Sequence, residues 1–191
     1  MNFLGHIFLT PDDDELLLGN FIADSVKGNP FKQFPNRVAE GIQLHRAIDE
    51  FTDKHELVKE GVARFRSTQG RYASVVIDVV YDHVLASNWN EYHHQELPDF
   101  TKETYVKLGA QRDHFPVQVE GYFPYMQQQN WLLNYQFEWG LVKSLEGLDR
   151  RSSFPSRMVE SVEVFRRFEE EFKVEFKHFI ADAEEMVGKR F

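Results

Sequence analysis

Histidine and aspartate recur at four-residue intervals along one predicted helix. His45, Asp49 and Asp53 are each four residues apart. Because an α-helix turns about 100° per residue, a step of four rotates by only about 40°, so the three side chains share one face. Val38 and Ile42 precede them on the same face. Imidazole and carboxylate groups are therefore predicted to point inward, which is typical of a metal or catalytic site.

A second pair of carboxylates lies in the most apolar predicted helix. Asp78 and Asp82 are four residues apart in RYASVVIDVVYDHVLASNW, close to the stripe formed by Val75, Leu85 and Trp89. Burying an unpaired carboxylate is unfavourable by several kcal/mol, and two carboxylates on one face also repel each other. Because a shared cation relieves both effects, this helix also predicts metal ligands.

These polar groups would meet if their helices pack around one centre. The candidates are imidazole and carboxylate side chains within apolar segments: Asp24, His45, Asp49, Asp78 and Asp82. His6 and His83 join them if their helices reach the same centre. Such donors suit Mn²⁺, Fe²⁺, Mg²⁺ or Zn²⁺ rather than soft metals. A divalent ion there would activate water and neutralise charge on a phosphoryl oxygen.

Other interpretations of the same residues remain open. Asp78 or Asp82 would also be satisfied by ion pairs with Arg46 or Arg71 in a structural network. Asp53 has the spacing of a capping box that starts the next helix, and His6 alone resembles a hydrogen-bonded core histidine. We favour a metal centre because two inward-facing pairs of ionisable residues are energetically unfavourable if they have only a structural role.

Composition narrows the class of protein. The 191 residues are 42% hydrophobic and contain no cysteine, which predicts one globular domain over 1–191 and excludes thiolate chemistry. A net charge of −9 argues against general nucleic-acid binding. The first residues lack a basic signal-peptide region and no apolar run reaches transmembrane length, so we expect a cytoplasmic protein that binds neither nucleic acid nor membrane.

The charge is distributed unevenly along the chain. Residues 26–72 carry nine Lys and Arg against six Asp and Glu, a net +3, which leaves −12 for the remainder. A basic region beside inward-facing carboxylates suits an acidic ligand, although chance clustering on a solvated face explains it equally well. Lys27, Arg46 and Arg71 are the candidates for contact with such a ligand.

The hydrophobic periodicity predicts an all-α fold. Asp99 is expected to cap the sixth helix, and Pro116 to open the seventh. We expect helices over 2–9, 12–26, 36–51, 54–67, 71–89, 99–113, from 116 onward, one or two within 131–148, and one long helix over 156–187.

Several stretches resemble the acyl carrier protein phosphodiesterases, which are related to the HD-type metal-dependent phosphohydrolases. Together they run in order over nearly the whole chain: MNFLGHIFL, GNFIADSVKG, GIQLHRAIDEFTDKH, RYASVVIDVVYDHVLASNW, LPDFTKETY and FPYMQQQNWLLNYQFEWGLVKSLEGLDRR. The resemblance implies an HD-like helical bundle that uses a divalent metal, Mn²⁺ above all. It also implies hydrolysis of the phosphodiester that joins 4′-phosphopantetheine to a serine of holo-acyl carrier protein.

The resemblance also implies roles for individual residues. Ligand roles fall to Asp24, His45, Asp49, Asp78 and Asp82, and water activation or phosphate contact to His83, Asp53 and His55. Acyl carrier protein is small and acidic, which gives the basic segment a use as a docking face. Two alternatives remain: a metal-dependent hydrolase of nucleotides or other small phosphodiesters, and a helical binding protein whose buried charges form a structural network.

Overall fold

A computed structural model describes residues 1–154 and 156–191, and no β-strand occurs in these residues. The prediction of an all-α fold is confirmed. The helices are α1 (Phe3–Phe8), α2 (Asp14–Ile22), α3 (Asn36–Lys54), α4 (Glu56–Gln69), α5 (Ala73–Ser87), α6 (Leu97–Gly109), α7 (Val117–Gln128), α8 (Trp131–Asn134), α9 (Glu138–Arg151), α10 (Ser161–Arg167) and α11 (Glu169–Arg190).

Several predicted helix boundaries differ from the structure, and the differences at α6 and in the last predicted helix have clear structural causes. Asp99 does not cap α6, because that helix begins at Leu97 and holds Asp99 in its first turn. The long helix predicted over 156–187 is interrupted at Phe168, whose φ of −122° and ψ of 26° separate α10 from α11. No proline or glycine marks this break. The helical pattern of apolar residues continues across it, and the sequence therefore predicts one helix where the structure has two.

The apolar helix α5 lies at the centre of the fold. Val76, Val80 and Val84 are 0% exposed, and α5 packs against α1, α4, α9 and α11. Its Tyr81 ring meets Phe176 of α11 edge to face at 5.2 Å between centroids. Because α1 packs directly on α5, this central helix fixes where α1 carries its polar residues. Among the described residues, none of the helices is both long and apolar enough to cross a bilayer.

Two glycines allow α2 and α3 to touch backbone to backbone. A methyl group on Gly41 would overlap the carbonyl oxygen of Leu16 and lie 2.9 Å from Gly19 Cα. A methyl group on Gly19 would in turn lie 2.8 Å from Gly41 Cα. Only residues without a side chain fit at this crossing. The close approach brings Asn20 of α2 beside His45 of α3.

We predict that Gly41→Ala destabilises the fold because the added methyl group pushes α2 away from α3. The free energy of unfolding, measured by urea denaturation, should fall by about 2 kcal/mol or more. Gly121 in α7 is the matched control, because nothing lies within 4 Å of a methyl group placed there. Gly121→Ala should increase stability by up to about 1 kcal/mol through helix propensity. Equal effects of the two variants would contradict the close packing.

Candidate metal centre

Two histidines from different helices stack at the centre of the candidate site. The rings of His6 in α1 and His45 in α3 are 3.9 Å apart and nearly parallel, with an interplanar angle of 14°. Nε2 of His6 lies 3.1 Å from Oδ1 of Asp49, and Nε2 of His45 lies 3.2 Å from Oδ2 of the same carboxylate. Asp24, in the turn that follows α2, places its Oδ1 3.3 Å from Nε2 of His45. One donor atom from each of His6, His45 and Asp49 lies within 4.8 Å of the others, a spacing that fits one metal ion.

Asn20 determines which ring nitrogens face this group. Its Nδ2 donates to the carbonyl oxygen of His6 at 3.0 Å and to Oγ1 of Thr10 at 2.7 Å. Because a carbonyl oxygen only accepts, the amide orientation is fixed and Oδ1 faces the rings. Oδ1 lies 3.1 Å from Nδ1 of His6 and 3.0 Å from Nδ1 of His45. Both Nδ1 atoms must therefore carry hydrogen, which leaves each neutral ring with an Nε2 lone pair directed at the carboxylates.

The two histidines differ in pKa. Burial lowers the pKa of His6 to about 4, so that ring is neutral at pH 7. Burial also lowers the pKa of His45, but hydrogen bonds to Asp24 and Asp49 outweigh it and raise that pKa to about 9. Burial would raise the pKa of Asp49, yet the hydrogen bond from protonated His45 holds it well below its usual range. A positive charge is thus favoured at the point that a cation would occupy.

Asp82 has a structural task that the sequence did not reveal. Its Oδ2 accepts the backbone N–H of Leu4 at 2.7 Å, and its Oδ1 accepts those of Gly5 at 3.1 Å and Asn2 at 3.2 Å. The side chain is 0% exposed, and burial raises the pKa of this carboxyl to about 7 while the backbone donors of α1 act against the rise. The expectation that Asp82 is a metal ligand is therefore corrected. It anchors the helix that carries His6.

A cavity of about 340 Å³ opens beside the stacked histidines, and it is called here the central cavity. Carboxylates dominate its wall. Asp78 lies there with its Oδ1 3.0 Å from the amino group of Met1. Asp53 also lines the cavity, because α3 continues to Lys54 and His55 occupies the N-cap position of α4. The capping interpretation of Asp53 is thus wrong. The four acidic residues of the wall are Asp24, Asp49, Asp53 and Asp78.

His83 and His55 do not reach the central cavity. Nδ1 of His83 donates to the carbonyl oxygen of Tyr135 at 2.6 Å, and its ring packs edge to face on Phe165. Nε2 of His55 lies 3.1 Å from Oδ2 of Asp182 in α11. The predicted roles of both histidines in water activation or phosphate contact are corrected, because each side chain is held by another part of the fold.

The predicted substrate-contacting cations are spread over the surface. Arg46 donates to the carbonyl oxygens of Val26 and Gly28, and Arg71 lies 4.3 Å from the ring centroid of Phe154. Arg46 therefore supports the loop after Asp24 instead of pairing with Asp78 or Asp82. Lys27 is exposed on that loop. None of the three cations is among the described residues that line the central cavity.

Comparisons with known proteins agree on one family. The family model described as acyl carrier protein phosphodiesterase matches residues 1–183. A protein named acyl carrier protein phosphodiesterase from Yersinia pestis is 34% identical over 152 residues, which is 79% of each chain. Its namesake from Photorhabdus laumondii is also 34% identical, over 79% of this chain and 77% of the relative, and one from Escherichia coli O139:H28 is 35% identical over 71% of each. No solved structure matches the chain.

We predict that Asp82→Ala destabilises the protein because three backbone N–H groups, two of them buried, lose their acceptor. The free energy of unfolding in urea should fall by roughly 3 kcal/mol. Asp99→Ala, at an exposed position in α6, should change it by no more than about 0.5 kcal/mol. Similar losses in the two variants would show that Asp82 does not support α1.

We also predict that Asn20→Ala weakens binding of a divalent ion. Both rings would lose the acceptor that orients them, and affinity for Mn²⁺ in titration calorimetry should fall by about 10- to 100-fold. Asn88→Ala is the matched control, because that amide donates to Val84 O and Ser87 Oγ at the end of α5. Its Mn²⁺ affinity should equal that of the unaltered protein. Unchanged affinity in Asn20→Ala would contradict the assigned role.

Proposed function

The chain belongs to the acyl carrier protein phosphodiesterase family, and we propose that it releases 4′-phosphopantetheine from holo-acyl carrier protein. Water adds to the phosphorus, the bond between phosphorus and the serine oxygen breaks, and that oxygen receives a proton to give the apo carrier. Support comes from the match over residues 1–183 and from the stacked His6 and His45, whose Nε2 atoms both face Asp49 beside the central cavity.

We propose that His6, His45, Asp49 and Asp24 hold one divalent ion, with Asp78 as a further ligand. Mn²⁺ is the proposed ion, and Mg²⁺, Fe²⁺ and Zn²⁺ suit the same nitrogen and oxygen donors. A bound ion would supply Lewis acidity and neutralise negative charge on the phosphoryl oxygens.

The charge of the residues that line the central cavity supports the proposal that a cation binds there. Four carboxylates line it, and the described lining residues include no lysine or arginine. A phosphodiester anion entering this cavity would be repelled by the ionised carboxylates. The positive groups in the wall are His45 and the amino group of Met1, and both are already paired with carboxylates of the cavity. Binding of the proposed substrate therefore requires further positive charge.

Asp53 is the proposed acceptor of the proton from the attacking water. Its side chain is exposed to the central cavity, and it lies one helical turn beyond Asp49 on the same face of α3. A carboxylate in this position accepts a proton without being a ligand itself.

The finer features of this assignment are also proposals. We propose that the bundle is related to the HD-type phosphohydrolases, since its candidate ligands are histidines and aspartates carried by neighbouring helices. We also propose a cytoplasmic protein that takes acyl carrier protein as its partner and binds neither nucleic acid nor membrane. Exposed Lys27, three residues after Asp24, is a proposed contact with the acidic carrier.

We predict that the purified protein with Mn²⁺ converts holo-acyl carrier protein to the apo form, followed by mass spectrometry. His45→Ala and Asp49→Ala should lower the rate by at least about 100-fold, because each removes a proposed ligand. Chelation with EDTA should abolish turnover, and added Mn²⁺ should restore it. Asp182→Ala is the control, since that residue contacts His55 on another face, and it should retain full activity. Full activity in His45→Ala and Asp49→Ala would contradict the proposed site.

We predict that Asp53→Asn separates proton transfer from metal binding. The value of kcat for the holo carrier should fall by about 100-fold or more, because the amide cannot accept the proton. Mn²⁺ affinity in calorimetry should stay close to that of the unaltered protein. A variant that loses Mn²⁺ binding instead would identify Asp53 as a ligand.

A further inference from the structure

A second cavity adjoins the central cavity. It has a volume of about 200 Å³, lies between α4 and α5, and is called here the side cavity. Thr52, Asp53 and Asp78 line both cavities. An extended molecule whose phosphate lies in the central cavity can therefore continue past these three residues into the side cavity.

The side cavity combines an apolar inner wall with polar groups at its mouth. Val58 is 3% exposed, Val62 is 9% exposed and Ile77 is 1% exposed, so these side chains form the inner wall. Exposed polar residues at the mouth supply hydrogen-bond donors. These residues are Lys59, Arg66 and Ser74. A pocket of this kind suits a mostly neutral chain that carries both apolar and amide groups.

The two sides of the scissile phosphodiester differ greatly in size. One oxygen belongs to a serine of a folded carrier protein, which cannot enter a cavity of about 200 Å³. The other oxygen leads to the pantetheine arm, a slender chain with a branched dimethyl group, a hydroxyl, two amides and a terminal thiol. The dimethyl group matches the apolar wall, and the amide oxygens match the donors at the mouth.

We propose that the side cavity binds the pantetheine arm while the carrier serine approaches from the open side of the central cavity. This assignment rests on the proposed function and adds the site that recognises the non-reacting part of the substrate. Binding energy from such a remote group places the phosphodiester for reaction, and it distinguishes the holo carrier from small phosphodiesters that lack the arm.

Filling the side cavity tests this assignment. Val62→Trp fills it from the inner wall, and Ser74→Trp fills it from the mouth, where Ser74 is exposed. Val174→Trp is the matched control, because Val174 is 59% exposed on α11 and lines neither cavity. The readout is the ratio of kcat/KM for holo-acyl carrier protein to kcat/KM for bis-p-nitrophenyl phosphate, measured with Mn²⁺.

The ratio should fall by about tenfold or more in both filled variants and stay unchanged in Val174→Trp. Pantetheine without phosphate should bind the unaltered protein and the control in saturation-transfer NMR, and binding should be lost in the filled variants. An unchanged ratio with retained pantetheine binding overturns the side-cavity assignment and leaves the phosphodiesterase proposal standing. If the unaltered protein fails to cleave the holo carrier, the proposed function is overturned and this assignment with it.

Discussion

One amide oxygen, Oδ1 of Asn20, orients both histidines of the candidate site. It accepts from Nδ1 of His6 and from Nδ1 of His45, while its own amide nitrogen is held by a backbone carbonyl. This arrangement leaves the two Nε2 atoms directed at the same carboxylate, Asp49. Two imidazoles and an ionised carboxylate that converge in this way form a donor set for a divalent cation.

The rest of the fold maintains that geometry. The crossing of α2 and α3 at Gly19 and Gly41 brings Asn20 to His45, because no side chain separates the two backbones. Asp82, at the centre of the fold on α5, receives the first N–H groups of α1 and so fixes the helix that carries His6. Asp82 thus supports the candidate site by holding α1 in place, without lining the central cavity. In the proposed function, the acidic central cavity would hold the phosphodiester and the adjoining side cavity would hold the pantetheine arm.

Much of this arrangement could be predicted from the sequence, and the failures have physical causes. The i, i+4 spacing of His45 and Asp49 correctly predicts a shared face, since helical periodicity alone determines it. The same spacing placed Asp82 with the ligands, because periodicity cannot tell a carboxylate that meets a metal from one that meets a neighbouring helix terminus. The roles of His83 and His55 were implied by the family resemblance, and a sequence motif does not reveal that their partners, Tyr135 and Asp182, lie elsewhere in the chain. Asn20 was missed entirely, although an asparagine between Gly19 and Phe21 in an apolar helix was a usable signal.

The central claim is that a metal ion binds between the Nε2 atoms of the two stacked histidines and the carboxylate of Asp49. Anomalous diffraction from crystals grown with Mn²⁺ measures this directly. The account predicts a strong anomalous peak within coordination distance of both Nε2 atoms and one Asp49 oxygen. A peak bound elsewhere, or His6 and His45 joined to Asp49 only by hydrogen bonds in the presence of saturating Mn²⁺, would contradict it.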